Sequence, residues 1–206
     1  MMSAPQAHDL LWGMPLSALP EQAPDWAWQA IATGQPVVVR RAVTDEDQVA
    51  VGIRGAQRQQ RFACTMPKAA IQRMVKPEQL IVVDAEQFPV IAEKVQPIAQ
   101  VLQATNWTWG ITGSTGFELA TGLQVTHANS DLDILIRMPN ELSKADAKAL
   151  WDDLQQTSVR MDVQLQTPYG GVALADWANA RHQVLLKRAQ GAVLVDNPWM
   201  VHEVAA

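Results

Sequence analysis

Hydrophobic and polar positions alternate most regularly in the second half of the chain. In VRMDVQLQTP, Val159, Met161, Val163 and Leu165 alternate with Arg160, Asp162, Gln164 and Gln166. A period of two is that of a half-buried strand, so Asp162 falls on its polar face. Read as a strand, Asp131 to Ile136 puts Asp131 and Asp133 on one face and Leu132, Ile134 and Ile136 on the other. Between these strands Asn140 to Ser143 makes a turn, and Ala147, Leu150, Trp151 and Leu154 then recur at helical spacing with acids opposite. HDLLW, VVVRR, QVAVGIRG, LIVVD and WTWGI predict further strands, and QVLLKR with AVLVD around Gln190-Gly191 predicts a β-hairpin. Helices are predicted for DWAWQAIATG, capped by Asp25 and ended by Gly34, for KAAIQRMVKPEQL, from about Phe117, and for VALADWANA. From Glu86 to Thr105 the residues Ile91, Val95, Ile98 and Leu102 keep helical spacing, and Pro97 predicts two pieces rather than one. That region is the expected seam between residues 1–85 and residues 86–206. Alternating strands and helices imply a mixed class. We take it as α+β, with a small N-terminal α/β domain and a C-terminal domain on a mixed sheet.

Composition fits that picture. The chain has 206 residues, 48% of them hydrophobic and 18% charged, enough for a real core. Eight tryptophans stand against three phenylalanines and one tyrosine, and we assign them to core and interdomain packing. The one cysteine, Cys64, has no adjacent histidine and reads as a buried or half-buried thiol; lacking a disulfide partner, it suits a reducing compartment. No basic-then-apolar leader and no apolar run of about 20 residues is seen, so the expectation is a cytoplasmic protein without a membrane span.

The net charge of −5 is unevenly spread. Val37 to Lys76 holds eight arginines and lysines against three acids, so this block is +5 and the remainder −10. A basic patch on an acidic chain argues against general nucleic-acid binding and for a compact polyanion or an acidic protein partner. Within it Arg54, Arg58 and Arg61 are spaced by four and three and would line one face of a helix. They are either a solvated surface or a clamp for phosphates, which guanidinium groups bind in bidentate fashion.

The densest chemistry lies in GITGSTGFELATGLQVTHANSDLDILI. Two carboxylates side by side repel unless a cation sits between them, and hard oxygen ligands suit magnesium. The turn at Gly113-Ser114 offers backbone N–H groups and a hydroxyl to a phosphate oxygen. Asp131, Asp133 and Asp162 are thus the candidate metal ligands and catalytic acids, and Gly113 and Ser114 the candidate phosphate cradle. His127, in a loop before Asp131, could assist or could be a plain hydrogen-bonded loop residue. His8 reads as an N-terminal surface histidine, Asp176 as a surface acid, and Lys187 and Arg188 as solvated cations.

Gly113-Ser114, Asp131-Leu132-Asp133 and Asp162 on a later strand resemble the nucleotidyltransferase superfamily that includes DNA polymerase β and antibiotic adenylyltransferases. That resemblance implies a Gly-Ser that holds triphosphate and three carboxylates that hold two magnesium ions. The chain departs from it in the sixteen residues, Thr115 to Ser130, that separate Ser114 from Asp131. More of the chain resembles a narrower family, the malonate decarboxylase holo-acyl-carrier-protein synthases, also called phosphoribosyl-dephospho-coenzyme A transferases. The matching stretches are HDLLW, VVVRRA, VGIRGAQRQQRFA, WGITGSTGFELATG, SDLDILI, MDVQLQTPYGGVALADWA, VLLK and LVDNPW. The likeness implies a family-specific N-terminal domain and a C-terminal nucleotidyltransferase domain. It implies transfer of 2′-(5″-phosphoribosyl)-3′-dephospho-coenzyme A from triphosphoribosyl-dephospho-coenzyme A to a serine of the decarboxylase's acyl carrier subunit, with release of pyrophosphate. The alternatives are an enzyme of the same superfamily with another acceptor, and a catalytically silent nucleotide- or partner-binding module.

Overall fold

The computed structural model describes residues 3–57, 59–127 and 130–200. Two sheets are built in succession. The first comes from β1 (Leu10–Trp12), β2 (Val37–Val39), β3 (Gln48–Arg54), β4 (Arg61–Pro67) and β5 (Arg73–Val75), ordered β4-β3-β2-β1-β5. Every pairing in it is antiparallel. One helix, α1 (Asp25–Ala32), covers it. Ala27 and Ile31 of α1 pack with Leu11, Val37, Val51, Ile53 and Met66 of the strands.

The second sheet comes from β6 (Trp109–Ile111), β7 (Leu132–Arg137), β8 (Met161–Thr167), β9 (Gly170–Ala173), β10 (Val184–Arg188) and β11 (Gly191–Val195). They lie in the order β11-β10-β9-β8-β7-β6. Only β7 and β8 pair in parallel, which requires a crossover. That crossover is α4 (Lys144–Gln155), started by Ser143, whose hydroxyl accepts from the Asp146 amide at 3.0 Å. With α2 (Pro89–Gln103) and α5 (Leu174–Asn179) it buries the apolar face of the sheet. Strands and helices in a mixed sheet plus an antiparallel one make the α+β class observed.

The tryptophans behave as core residues where they are most buried. Trp177 and Trp199 meet edge to face at 5.4 Å between ring centroids, and their indole N–H groups donate to the carbonyls of Leu142 and Met138. Cys64 is half-buried, and burial pushes its thiol up to about 11.

Several local expectations are corrected. KAAIQRMVKPEQL is two short 3-10 turns, Lys68–Ala70 and Pro77–Leu80, flanking β5. The segment is rich in helix formers, but pairing of Arg73–Val75 with β1 overrides that weak preference. LIVVD holds no strand. Pro97 sits inside one continuous α2, and the residue four before it, Glu93, is exposed, where water can take up the carbonyl the proline leaves free. VALADWANA divides between β9 and α5. Arg54 and Arg61 are not on a helix: β3 and β4 form a hairpin in which they are direct cross-strand partners. The pairing still brings the two guanidinium-bearing residues together. Arg58 lies outside the described residues.

Candidate active site

The site begins with the start of a helix. α3 (Gly113–Thr121) follows directly on β6, so the Gly-Ser turn is its first turn and not a loop before Phe117. Gly-Ser-Thr-Gly is a poor helix-starting sequence by propensity alone. What holds it is the sheet: the Thr112 amide donates to the Asp133 carbonyl at 2.9 Å. Gly113 has φ +63°, and a Cβ there would lie 1.8 Å from Oδ2 of Asp133. Only glycine lets the Asp133 carboxylate reach the positive end of α3, where backbone N–H groups favour an anion.

The carboxylates come next. In the parallel register Asp133 stands opposite Asp162, and strands so paired run about 4.8 Å apart. Asp133 is half-buried, with its carboxylate against Gly113, and Asp162 is exposed. Asp131 precedes β7 by one residue and is half-buried. It lines a separate cavity of about 450 Å³ on the other side of α3, with Thr115, Glu118 and Lys94. Leu132, Ile134 and Ile136 are buried as expected, but so is Leu135. The face that carries Asp133 is covered farther along, where Gly110 abuts the Pro77–Leu80 turn.

Among the described residues no group of three or more His, Cys, Asp or Glu side chains is gathered closely enough to cage a metal. Magnesium does not need such a cage. It keeps several waters and is held by one or two carboxylates plus substrate phosphates. The in-register Asp133 and Asp162 fit that mode of binding and not a closed all-protein site; Asp131, expected on the same face, lines the other cavity instead.

Arginine 54 crosses from the N-terminal sheet into this centre. Its side chain is 6% exposed, its guanidinium donates to Ser114 Oγ at 3.1 Å, and its carbon Cζ lies 5.6 Å from the Phe117 ring centroid. The buried Nε has no hydrogen-bond partner among the described residues. Burial, with Arg61 nearby, lowers its ionisation to about 10 against the pull of Asp133 and Glu118, so it stays charged at neutral pH. Arg54, Arg61 and Gly113 line a cavity of about 510 Å³ between the two sheets. Leu10, Val38, Phe62 and Phe117 supply its apolar walls. A third, small core of Leu10, Val75 and Phe117 seals the seam beside it.

The long segment after α3 is pinned by a residue that sequence reading passed over. Glu118 accepts from the amides of Val125 and Thr126 at 2.9 and 2.7 Å. Burial pushes its carboxyl up, but those two amides, the Thr126 hydroxyl and Arg54 outweigh it and hold the group below its ordinary value.

The docking of the N-terminal sheet was not visible in the sequence either. Rungs of the β7–β8 ladder beyond Asp133/Asp162 pair Leu135 with Gln164 and Arg137 with Gln166. Gln164 meets His8 Nε2 at 3.0 Å, and Gln166 accepts from Arg41. Arg137 binds Glu78 at 2.6 Å and lies 3.7 Å from the fully buried Asp9. One polar face therefore presents carboxylates at its open end and grips the other sheet farther along. His8 is correspondingly half-buried and not a free surface histidine: burial, with Arg41, Arg137 and Lys187 near, lowers its imidazole to about 4.

Comparison with known proteins agrees with this organisation. A family model described as the phosphoribosyl-dephospho-CoA transferase MdcG N-terminal domain matches residues 6–77, and its C-terminal domain counterpart matches residues 79–198. The protein is an enzyme of the transferase class. A phosphoribosyl-dephospho-CoA transferase of Pseudomonas putida (strain W619) is 50% identical over 205 residues, covering all of both chains. Those of Azotobacter vinelandii and Pseudomonas aeruginosa are 48% and 44% identical, over 98% and 99% of this chain and 97% and 98% of theirs. The chain belongs to the phosphoribosyl-dephospho-CoA transferase (MdcG) family. No solved structure matches it. Among the described residues no helix is long and apolar enough to cross a membrane.

Proposed function

We propose that the chain transfers the 2′-(5″-phosphoribosyl)-3′-dephospho-coenzyme A group from its triphosphoribosyl precursor to a serine of the apo acyl carrier subunit of malonate decarboxylase. The observation that carries this reading is the in-register pair Asp133/Asp162 beside the Gly113-Ser114 start of α3. Paired carboxylates next to an anion-binding helix start are the equipment of nucleotidyl transfer, and the donor's triphosphate is its substrate.

The serine hydroxyl attacks the phosphorus nearest the ribose. A serine O–P bond forms, the bond to the next phosphate oxygen breaks, and pyrophosphate leaves. Asp133 and Asp162 would hold magnesium, which would supply neutralisation of the triphosphate and a more acidic incoming hydroxyl; Asp131, in the neighbouring cavity, stands apart from that pair. Asp162, exposed beside Asp133, receives the hydroxyl proton. Ser114 and the first amides of α3 take the leaving pyrophosphate, where the helix dipole favours added negative charge. Arg54 and Arg61 oppose the phosphates from the other sheet, and Arg58, between them in sequence, is assigned the same role. The basic block beyond them attracts an acidic carrier and raises its encounter rate.

The test is intact-mass analysis of the apo carrier after incubation with enzyme, magnesium and donor. The reading requires a mass gain equal to the phosphoribosyl-dephospho-coenzyme A group, with one pyrophosphate released for each carrier modified. An unmodified carrier, with another acceptor labelled or none, defeats it.

A further inference from the structure

A second cavity, of about 850 Å³, opens at the same seam and is unused by the chemistry above. It shares one lining residue with the first. Arg40, just past β2, lines both cavities. Val38 lines the first and Val39 the second. Gly52 makes room for the crossing, since a Cβ there would lie 3.2 Å from Arg40 Cδ.

Arg41, in the second cavity, has no ion-pair partner among the described residues, although Glu78 lines the same cavity. Arg41 is half-buried, its hydrogen-bond partner is the neutral amide of Gln166, and its buried Nε has no partner among the described residues. Its neighbour Arg137 is different, having Glu78 and Asp9. Burial and Arg137 lower the Arg41 ionisation to about 10, with no carboxylate opposing them. A desolvated guanidinium with an idle N–H is costly unless an anion completes it. The second cavity mixes apolar wall, Val39 and Ala42, with hydrogen-bonding groups, Thr108 and Gln166, and with the charged Lys68, Glu78 and Arg137.

The seam thus holds the helix start and apolar walls in the first cavity, Arg40 lining both cavities, and Arg41 in the second. Dephospho-coenzyme A has matching parts: adenosine, diphosphate, and a pantetheine arm of methylenes and amides. We propose that the second cavity holds the pantetheine arm of the donor, with Arg40 and Arg41 on the diphosphate that joins the arm to adenosine in the first cavity. This rests on the donor reading given under Proposed function, and it gives the N-terminal sheet the task of measuring the donor's length.

Calorimetric titration with adenosine, ADP and dephospho-coenzyme A separates the parts without any transfer step. The wild-type chain should bind them in rising order of affinity. Arg41→Ala should erase the step from adenosine to ADP, a loss of roughly tenfold or more for one charge-assisted hydrogen bond. Ala42→Trp, which keeps Arg41 and fills the channel, should erase only the step from ADP to dephospho-coenzyme A. Thermal melts establish that each variant is folded. The inference is overturned if Arg41→Ala keeps the first step, or if Ala42→Trp weakens all three ligands alike. Absence of binding by all three to the wild-type chain removes the donor reading as well. Carrier modification by a wild-type chain that shows no steps removes this inference alone.

Discussion

Replacing Gly113 by alanine isolates the contact that fixes Asp133. Two costs are separable. The first is conformational: at φ +63° an L residue sits in the left-handed region, at about 1–2 kcal/mol. The second is steric: the new methyl would lie 1.8, 2.5 and 2.8 Å from Oδ2, Cγ and Cβ of Asp133. No relaxation of the carboxyl tip alone relieves contacts that reach Cβ, so Asp133 or the start of α3 must move. A displacement of about 1 Å at a reacting centre costs about 100-fold in rate. Gly122, at the other end of α3, is the matched control. It has φ +73°, but the nearest atom to an added Cβ is Gln87 Nε2 at 4.0 Å. Gly122→Ala therefore carries the first cost without the second. In thermal melts Gly122→Ala should lose roughly 2–8 °C, and Gly113→Ala more. In initial rates of carrier mass gain, Gly113→Ala should fall by about 100-fold or more, and Gly122→Ala should stay within a few-fold of the parent. Equal rates for the two variants would refute the claim that this close approach holds the catalytic carboxylate.

Other outcomes follow from the same geometry. Arg54→Lys keeps the charge but loses the fork that reaches Ser114, so KM for the donor should rise by about tenfold or more, with a melting shift of only a few degrees; an unchanged KM would remove Arg54 from the phosphate site. His8 is held at about 4 in the fold against 6.5 when free, so its contribution is complete above pH 6.5 and is lost as pH falls toward 4. That gap is worth about 3 kcal/mol in full and about 2 kcal/mol by pH 5. Urea unfolding at pH 8 and pH 5 should show this drop in the parent and a smaller one in His8→Gln; identical drops would mean that His8 is not the group involved.

The strands that carry Asp133 and Asp162 were legible because half-buried strands leave a period of two, and the polar side of that period is where these two residues stand. Their exact opposition was not legible, since register depends on the crossover through α4. The hairpin of Arg54 and Arg61 was misread because spacings of four and three suit a helix face, yet the same residues meet as cross-strand partners. The start of α3 was placed late because its stabilisation comes from Asp133, far along the chain, and not from the residues themselves. Family likeness named the donor and the domain pair, but nothing local announced that Gln164 and Gln166 bind the N-terminal sheet. Those contacts join residues more than a hundred positions apart, and only the fold brings them together.

The central claim is that Asp133, set beside Asp162 at the foot of α3, is a reacting carboxylate and not a structural one. Asp133→Ala, assayed by intact mass of the carrier with donor and magnesium, tests it most directly. The account predicts no mass gain from a variant whose circular dichroism and melting match the parent. Modification of the carrier at the parent rate would contradict it.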